Sequence, residues 1–412
     1  MNEGLDLDQL LGSRSISRRE LLRAGARGGM GLAAMSLLAA CGSGSSATPG
    51  GGSLTSLPPL AHQLSVAQWP LYLDRSHGTH PSLDMFQKET GINVDYKEII
   101  DDNQSFFAKL VPLFQAQQST GYDLITLSDW VVTRLARAGW IESLDWSLLP
   151  TVGANMLPAF RDPDYDPKNA HSVPWQGGIT GIAYYPDKVG GSITDFAQLW
   201  DEKLAGHVGM LTEMVDTMSL TLLSMGIVPK DATIDDATRA QQKLLQQLDA
   251  GIVRKYYGQD YVDDLARGDL WATMAWSGDV FYYKYLGGTP DVEFIVPSEG
   301  GVIWATPMEI PIMAEHPRDA HAFLDFYYRP EIAALVTDWV LYMTPVKGVQ
   351  EIMQQKAQDA KSAANKKYYE TLSQSPMLFP PDDLSQANLY EYKVMSEAEL
   401  QQYEDLFAKV ID

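Results

Sequence analysis

The sequence predicts an α/β protein of two domains, and three observations carry that reading. Short apolar or alternating runs are separated by segments with apolar residues at helical spacing, the pattern of a parallel sheet with helices on both faces. The pattern occurs twice, once between Leu60 and Ala138 and again between Asp195 and Asp279. The chain has 412 residues, enough for two domains of ordinary size, each with its own core.

Taken in order, His62–Gln68 alternates like a strand and delivers Trp69-Pro70-Leu71-Tyr72 to its C-terminal end. Pro81 opens a helix that Gly91 stops, and Ile92–Tyr96 is a second strand. Phe107, Leu110, Leu113 and Phe114 lie at helical spacing within Phe106–Gln115. Asp123–Leu127 is a third strand, and Ser128-Asp129-Trp130 sits where it meets a helix over Val131–Ala138. Ligands of parallel sheets collect at the carboxyl ends of strands, where Trp69, Tyr72, Ser128 and Trp130 all fall.

Val173–Tyr185 is a Gly-punctuated apolar strand suited to cross between domains. Its Gly177-Gly178 pair serves either a bend or a close approach of backbone to ligand. A second series follows: a helix near Asp195–Leu204, a strand over Val208–Thr212, and helices near Met218–Gly226 and Asp235–Ala250. Asp291–Val296 and Gly301–Trp304 read as strands returning to the first domain, followed by helices at Pro317–Tyr328 and Pro330–Trp339. The tail from Gln350 is helical and polar, with a loop at Pro376–Asp383.

Trp271–Asp279 is the stretch with the most chemistry. It begins as a buried strand and ends in Trp276-Ser277-Gly278-Asp279. An indole and a carboxylate at a strand end can hold an organic cation, with about 0.5–2 kcal/mol per ring from cation–π attraction. The carboxylate adds charge-assisted hydrogen bonds. The same residues also fit a core Trp beside a helix N-cap Asp.

The N-terminus carries an export signal over residues 1–40. Ser17-Arg18-Arg19-Glu20-Leu21-Leu22 is a twin-arginine pattern, followed by an apolar stretch from Gly28 to Ala40. That stretch is shorter than the roughly 20 residues a spanning helix needs. Leu38-Ala39-Ala40-Cys41 resembles the lipobox of bacterial lipoproteins, in which the Cys is diacylated. Cys41 is the only cysteine, so an intramolecular disulfide and a Cys-based metal cluster are excluded. Residues 41–61 form a Gly/Ser-rich tether, about 25 Å r.m.s. in length.

The formal charge of −22 argues against a nucleic-acid partner. No Gly-x-Ser-x-Gly elbow, His-Glu-x-x-His, P-loop or dinucleotide fingerprint is present, and the seven His residues lack metal-ligand spacing. The expectation is a protein that is not an enzyme and uses no cofactor or metal.

In family order, Trp69-Pro70-Leu71-Tyr72, Phe86–Val94, Tyr122-Asp123-Leu124, Thr180-Gly181-Ile182, Gly268–Asp279, Pro297–Gly301, His316–Glu331 and Tyr342-Met343-Thr344-Pro345 resemble the spermidine/putrescine-binding proteins of ABC importers. The resemblance covers nearly all of residues 62–350. It implies two αβ lobes joined by hinge strands, residues 62–173 with 281–341 and residues 174–280 with 342–412, closing on a solute. Such a protein works as a monomer with a membrane permease, held outside the cytoplasm by its lipid.

Carried over by position, the resemblance makes Trp69, Tyr72, Trp130 and Trp276 aromatic walls. Ser128 becomes a polar contact, Asp279 an amine anchor and Tyr342 a hinge-side contact. Glu213 and Asp216 are the acids of the second lobe's strand-to-helix loop, where helix capping would use them equally well. Thr306 stands where the family has an Asp, and a neutral hydroxyl cannot replace that charge. Glu309, three residues on, falls on the opposite strand face. The expected solute is a small cation of the polyamine class; the alternative is a sugar, an opine or an amino-acid-like solute in the same fold.

Overall fold

In the computed structural model the described residues are 57–100, 103–285, 288, 289, 291–379, 381 and 384–411. The export signal, Cys41 and most of the tether lie outside them. Residues 58–412 form one unit. Its first ties come early: the Ala61 and Gln63 amides donate to the Asp319 carboxylate at 2.9 and 3.2 Å. The tether assigned from sequence thus ends before Ala61.

Strand β1 (Gln63–Gln68) leads to helix α1 (Pro81–Thr90), which Pro81 opens and Gly91 closes at φ 70°. Strand β2 (Asn93–Glu98), helix α2 (Asn103–Gln115), strand β3 (Leu124–Thr126) and helix α3 (Asp129–Ala138) follow. β1 pairs in parallel with both β2 and β3. Strand β4 (Ser172–Tyr184) is buried throughout. Beyond it come β5 (Val208–Leu211), α4 (Met214–Leu223), α5 (Ile234–Asp249), β6 (Val253–Tyr257), α6 (Tyr261–Ala266), β7 (Ala272–Trp276) and α7 (Ser277–Tyr285). β5 pairs in parallel with β6 and β7. Strands β8 (Glu293–Ile295) and β9 (Gly301–Glu309) return the chain.

The sheet order is β2-β1-β3-β9-β4-β7-β5-β6. It is mixed rather than parallel, which corrects the sequence reading. β9 runs antiparallel to β3 and to β4, and β4 antiparallel to β7 and β8. The reason is topological. A strand that carries the chain into a second lobe and one that brings it back must run in opposite directions. The two parallel sets, β1-β2-β3 and β5-β6-β7, keep their helical crossovers on either side of this central pair.

Each set has its own core. Phe106, Leu110, Val131 and Leu135 from α2 and α3 bury against Ala67 and Ile125. Met210, Leu220, Leu244 and Met274 form the second core. A fully buried side chain of this size contributes about 1.5–3 kcal/mol. Val292, Val302, Phe294 and Ile295, placed in the first lobe by sequence, pack in the second core.

After β9 come α8 (Pro317–Tyr327), α9 (Pro330–Val340), α10 (Val349–Asp359) and α11 (Ala363–Ser373). Asp338 of α9 accepts from Lys356, Tyr368 and Tyr369, which ties α10 and α11 to it. The two-residue strand β10 (Leu389–Tyr390) pairs with the start of β9. Helix α12 (Glu397–Ile411) ends the chain, with Tyr403, Phe407 and Val410 in the second core.

Candidate functional site

The stretch at the end of β7 places four consecutive residues in four different contacts. The Trp276 indole N–H donates to Asp216 Oδ2 at 3.0 Å. Ser277 Oγ accepts from the Ile179 amide of β4 at 3.1 Å. Gly278 lies against the Tyr342 ring so closely that a Cβ there would sit 2.6 Å from it. Asp279 is 1% exposed, and its Oδ2 accepts from Gln259 at 2.6 Å and from the Tyr261 hydroxyl at 3.0 Å. The indole of this stretch is therefore paired with Asp216 rather than with its neighbour Asp279.

Asp216 is the centre of the network. It sits in the first turn of α4, 1% exposed, where the helix N-terminus favours a carboxylate. Its Oδ1 accepts from Thr180 Oγ1 and from the Tyr392 hydroxyl, both at 2.6 Å. Burial pushes this carboxyl above its ordinary range, against the three hydrogen bonds from Thr180, Tyr392 and Trp276 that favour the ionised form. Thr180 Oγ1 also accepts from the indole N–H of Trp304 at 3.1 Å. Trp304 lies 5.5 Å from Tyr342, and Tyr342 lies 6.0 Å from Tyr72, centroid to centroid. A ladder of rings thus runs from β1's end through Tyr342 to Trp304 and on through Thr180 to Asp216.

Trp304 was read only as a strand residue. Its place is prepared by Gly178, the residue facing it across the β4–β9 pair: a Cβ at 178 would lie 2.3 Å from the indole. At Gly177 a Cβ would lie 2.9 Å from Phe160. The glycine pair makes room for rings.

Beside this network a cavity of about 690 Å³, part of it open to solvent, is lined by Asp129, Trp130, Tyr165, Trp304, Glu391 and Tyr392, among others. Asp129 opens α3 and is 5% exposed; its oxygens accept from the Trp130 amide at 2.7 Å and the Ala305 amide at 3.0 Å. Burial pushes its carboxyl up to about 8, with Asp216 and Glu391 adding repulsion and the two amides opposing. Burial and Asp164 raise Glu391 as well, against the pull of Lys230. Arg134 and Lys393 also line the cavity. Arg134 reaches Glu397 at 3.1 Å, and Lys393 reaches Glu399 at 3.3 Å.

Of the residues expected from sequence, Trp130 lines the cavity; Asp216, Trp276, Tyr342 and Tyr72 form the network behind it. Trp69, Ser128, Glu213, Asp279 and Thr306 are not among the lining residues. The Trp69 indole donates to the Thr126 carbonyl at 2.9 Å, and Ser128 Oγ accepts from Asn103 at 2.8 Å. Glu213 occupies the N-cap position of α4. Thr306 is 4% exposed and donates to the Gln176 carbonyl at 3.3 Å. Among the described residues no group of three or more His, Cys, Asp or Glu side chains is placed to hold a metal ion.

Two α/β lobes sharing two antiparallel strands, with aromatic rings and buried acids where they meet, define a protein that binds a small solute. Residues 82–367 match the family described as Bacterial extracellular solute-binding protein, and the chain belongs to that family. It is a substrate-binding component of an ABC transporter, works outside the cytoplasm with a permease, and is not an enzyme.

The chain is 29% identical over 326 residues to the putrescine-binding periplasmic protein PotF of Escherichia coli (strain K12), spanning 75% of this chain and 82% of PotF. It is 28% identical over 269 residues to the spermidine/putrescine-binding periplasmic protein of the same strain, 64% of this chain and 73% of that protein. Its fold matches the putative spermidine/putrescine ABC transporter from Listeria monocytogenes with a TM-score of 0.69 and 25% identity, covering 85% of this chain and 99% of that one. Among the described residues no helix is long and apolar enough to cross a membrane.

Proposed function

We propose that this protein captures a polyamine-like organic cation between its lobes and is held at the membrane by a lipid on Cys41. The carrying observation is Asp216: a buried carboxylate whose hydrogen-bond partners are a threonine, a tyrosine and a tryptophan, with no basic side chain among them. An ammonium group is the natural counter-charge for such an acid, and the rings of Trp130, Trp304, Tyr342 and Tyr72 suit a methylene chain. Each ring adds about 0.5–2 kcal/mol toward a nearby cation. The names of the relatives above supply the solute class. Lobe closure follows as a population shift, because the solute contacts both sides only when they are together.

The first lobe in this reading is built on β1-β2-β3 and the second on β5-β6-β7, with β4 and β9 as hinge strands. Trp276 and Asp216 serve as wall and anchor, and Asp279 as a second acid held ready by Gln259 and Tyr261. Twin-arginine export and a monomeric state complete the reading.

The test is calorimetric titration of the purified protein with putrescine, spermidine, a neutral disaccharide and a basic amino acid. Saturable binding of one of the two amines, lost in Asp216→Asn and weakened in Asp279→Asn, is the expected result. Binding of the disaccharide alone would replace the cation reading by a sugar reading.

A further inference from the structure

We propose that Asp129 is the specificity-determining acid of the cleft, meeting one ammonium group of the solute together with Glu391 from the C-terminal segment. This rests on the cation reading above. The Asp that the family's pattern leads one to expect at position 306 is a threonine, and Thr306 is occupied with the Gln176 carbonyl. Asp129 is bonded to the amide of Ala305, the residue directly before Thr306. A carboxylate from α3 therefore reaches the strand position next to the one where the charge is missing.

The surroundings of Asp129 fit a cation. A carboxylate offers about four lone-pair sites, and two backbone amides account for two of them. Trp130, Trp304, Tyr165 and Tyr392 line the same cavity and supply ring faces. The charged groups lining it are Asp129, Asp164 and Glu391 on one side of the balance, Arg134 and Lys393 on the other. Both bases are already engaged by Glu397 and Glu399, acids outside the lining. Among the described residues Asp129 has no basic side chain among its hydrogen-bond partners, while Glu391 feels the pull of Lys230 against its burial.

Asp216 and Glu391 are the charges that disfavour ionisation of Asp129, and Asp129 in turn disfavours ionisation of Tyr165 and Tyr392. In the ligand-free protein it holds its proton near neutrality. An ammonium group favours the ionised form, so binding at pH 7 releases that proton to solvent.

The experiment is calorimetric titration of the purified protein with putrescine and with spermidine at pH 7, in phosphate and in Tris, whose heats of ionisation differ. The unaltered protein should release close to one proton per amine bound. Asp129→Asn should weaken binding at least tenfold and abolish the release while retaining the thermal transition of a folded protein; Glu391→Gln should weaken binding but retain it. Equal affinity and equal proton release in Asp129→Asn would overturn the assignment and leave the cation reading standing. If Asp129→Asn does not fold, absence of proton release in the unaltered protein overturns it alone. No amine binding at all would remove the cation reading and this inference with it.

Discussion

Replacing Gly178 with alanine separates Trp304 as a wall of the cleft from Trp304 as a core residue. A Cβ at 178 would lie 2.3 Å from indole Cζ2 and 2.8 Å from Cε2 and Cη2. Restoring ordinary contact requires the ring to move by about 1 Å, and overpacking of this kind costs about 1–3 kcal/mol. Position 178 has no left-handed φ, so the effect is steric rather than a backbone strain. The displaced indole loses its bond to Thr180, worth about 0.5–1.5 kcal/mol. It also loses its packing on Tyr342, worth about 0.5–1.5 kcal/mol. Together these lower stability by about 1–3 kcal/mol. If Trp304 is a wall of the cleft, its loss as a cation-facing ring, worth about 0.5–2 kcal/mol, weakens solute binding roughly 2- to 30-fold.

The assay is calorimetry with the bound amine, paired with thermal unfolding and indole fluorescence. Gly178→Ala with Trp304→Phe should recover part of the stability, since a smaller ring fits beneath the added methyl. A lowered melting temperature with unchanged affinity would refute the reasoning, because Trp304 would then be core alone.

Four further outcomes follow from the same geometry. For Asp129 the folded pKa is raised from 3.8 to about 8, so its contribution to stability is complete below pH 3.8 and is lost as pH rises toward 8. Thermal unfolding of the ligand-free protein should show this slope, at most about 1.4 kcal/mol per pH unit, and Asp129→Asn should flatten it while amine affinity in the unaltered protein rises over the same range. Glu309 is fully buried with neither carboxyl oxygen in a hydrogen bond of ordinary geometry, and burial raises its pKa, the Leu127 amide offsetting only part; Glu309→Gln should be neutral below pH 5 and stabilising by about 1 kcal/mol or more at pH 8, read by chemical denaturation. Arg134 of α3 reaches Glu397 and Glu404 of α12 at 3.1 and 4.0 Å; Arg134→Gln should speed solute dissociation roughly 2–5-fold, the worth of a partly exposed pair. Cys41→Ser should move the protein from the membrane to the soluble fraction, and intact mass of the membrane form should show the diacylglyceryl adduct on the unaltered chain.

The sequence revealed the strands β1, β2, β3, β4, β5, β7, β8 and β9 because each is an apolar or alternating run ending in turn residues. It hid β6, where Arg254 and Lys255 interrupt the pattern; this strand ends the sheet order, and its bases stay in solvent. It hid β10 because two residues carry no periodicity. In the site, Trp276 and Asp216 were legible as an aromatic and an acid near strand ends. Their pairing was not, since it depends on how β7 and α4 meet. Trp304 and Asp129 were overlooked for one reason: each owes its place to a cross-strand or helix–strand neighbour, Gly178 or Ala305, that lies far away in sequence. Gly178 was the available signal, a residue without a side chain in the middle of a buried strand.

On the proposed reading, the same arrangement gives a reason for closure to depend on a solute. Glu391 and Tyr392 reach the cleft from a segment just before α12, which packs in the second core, while Asp129 belongs to α3 of the first. Bringing the lobes together places Glu391 and Asp216 where they raise the pKa of Asp129. Without a cation, closing therefore either concentrates negative charge in a buried space or takes up a proton. The ion pairs of Arg134 with Glu397 and Glu404 pull the same two elements together at the rim. Rim attraction and interior repulsion oppose each other, so the lobe equilibrium is set by what fills the interior. On the proposed cation reading, a diamine relieves the repulsion and tips the balance, whereas a neutral sugar of the same volume leaves it in place.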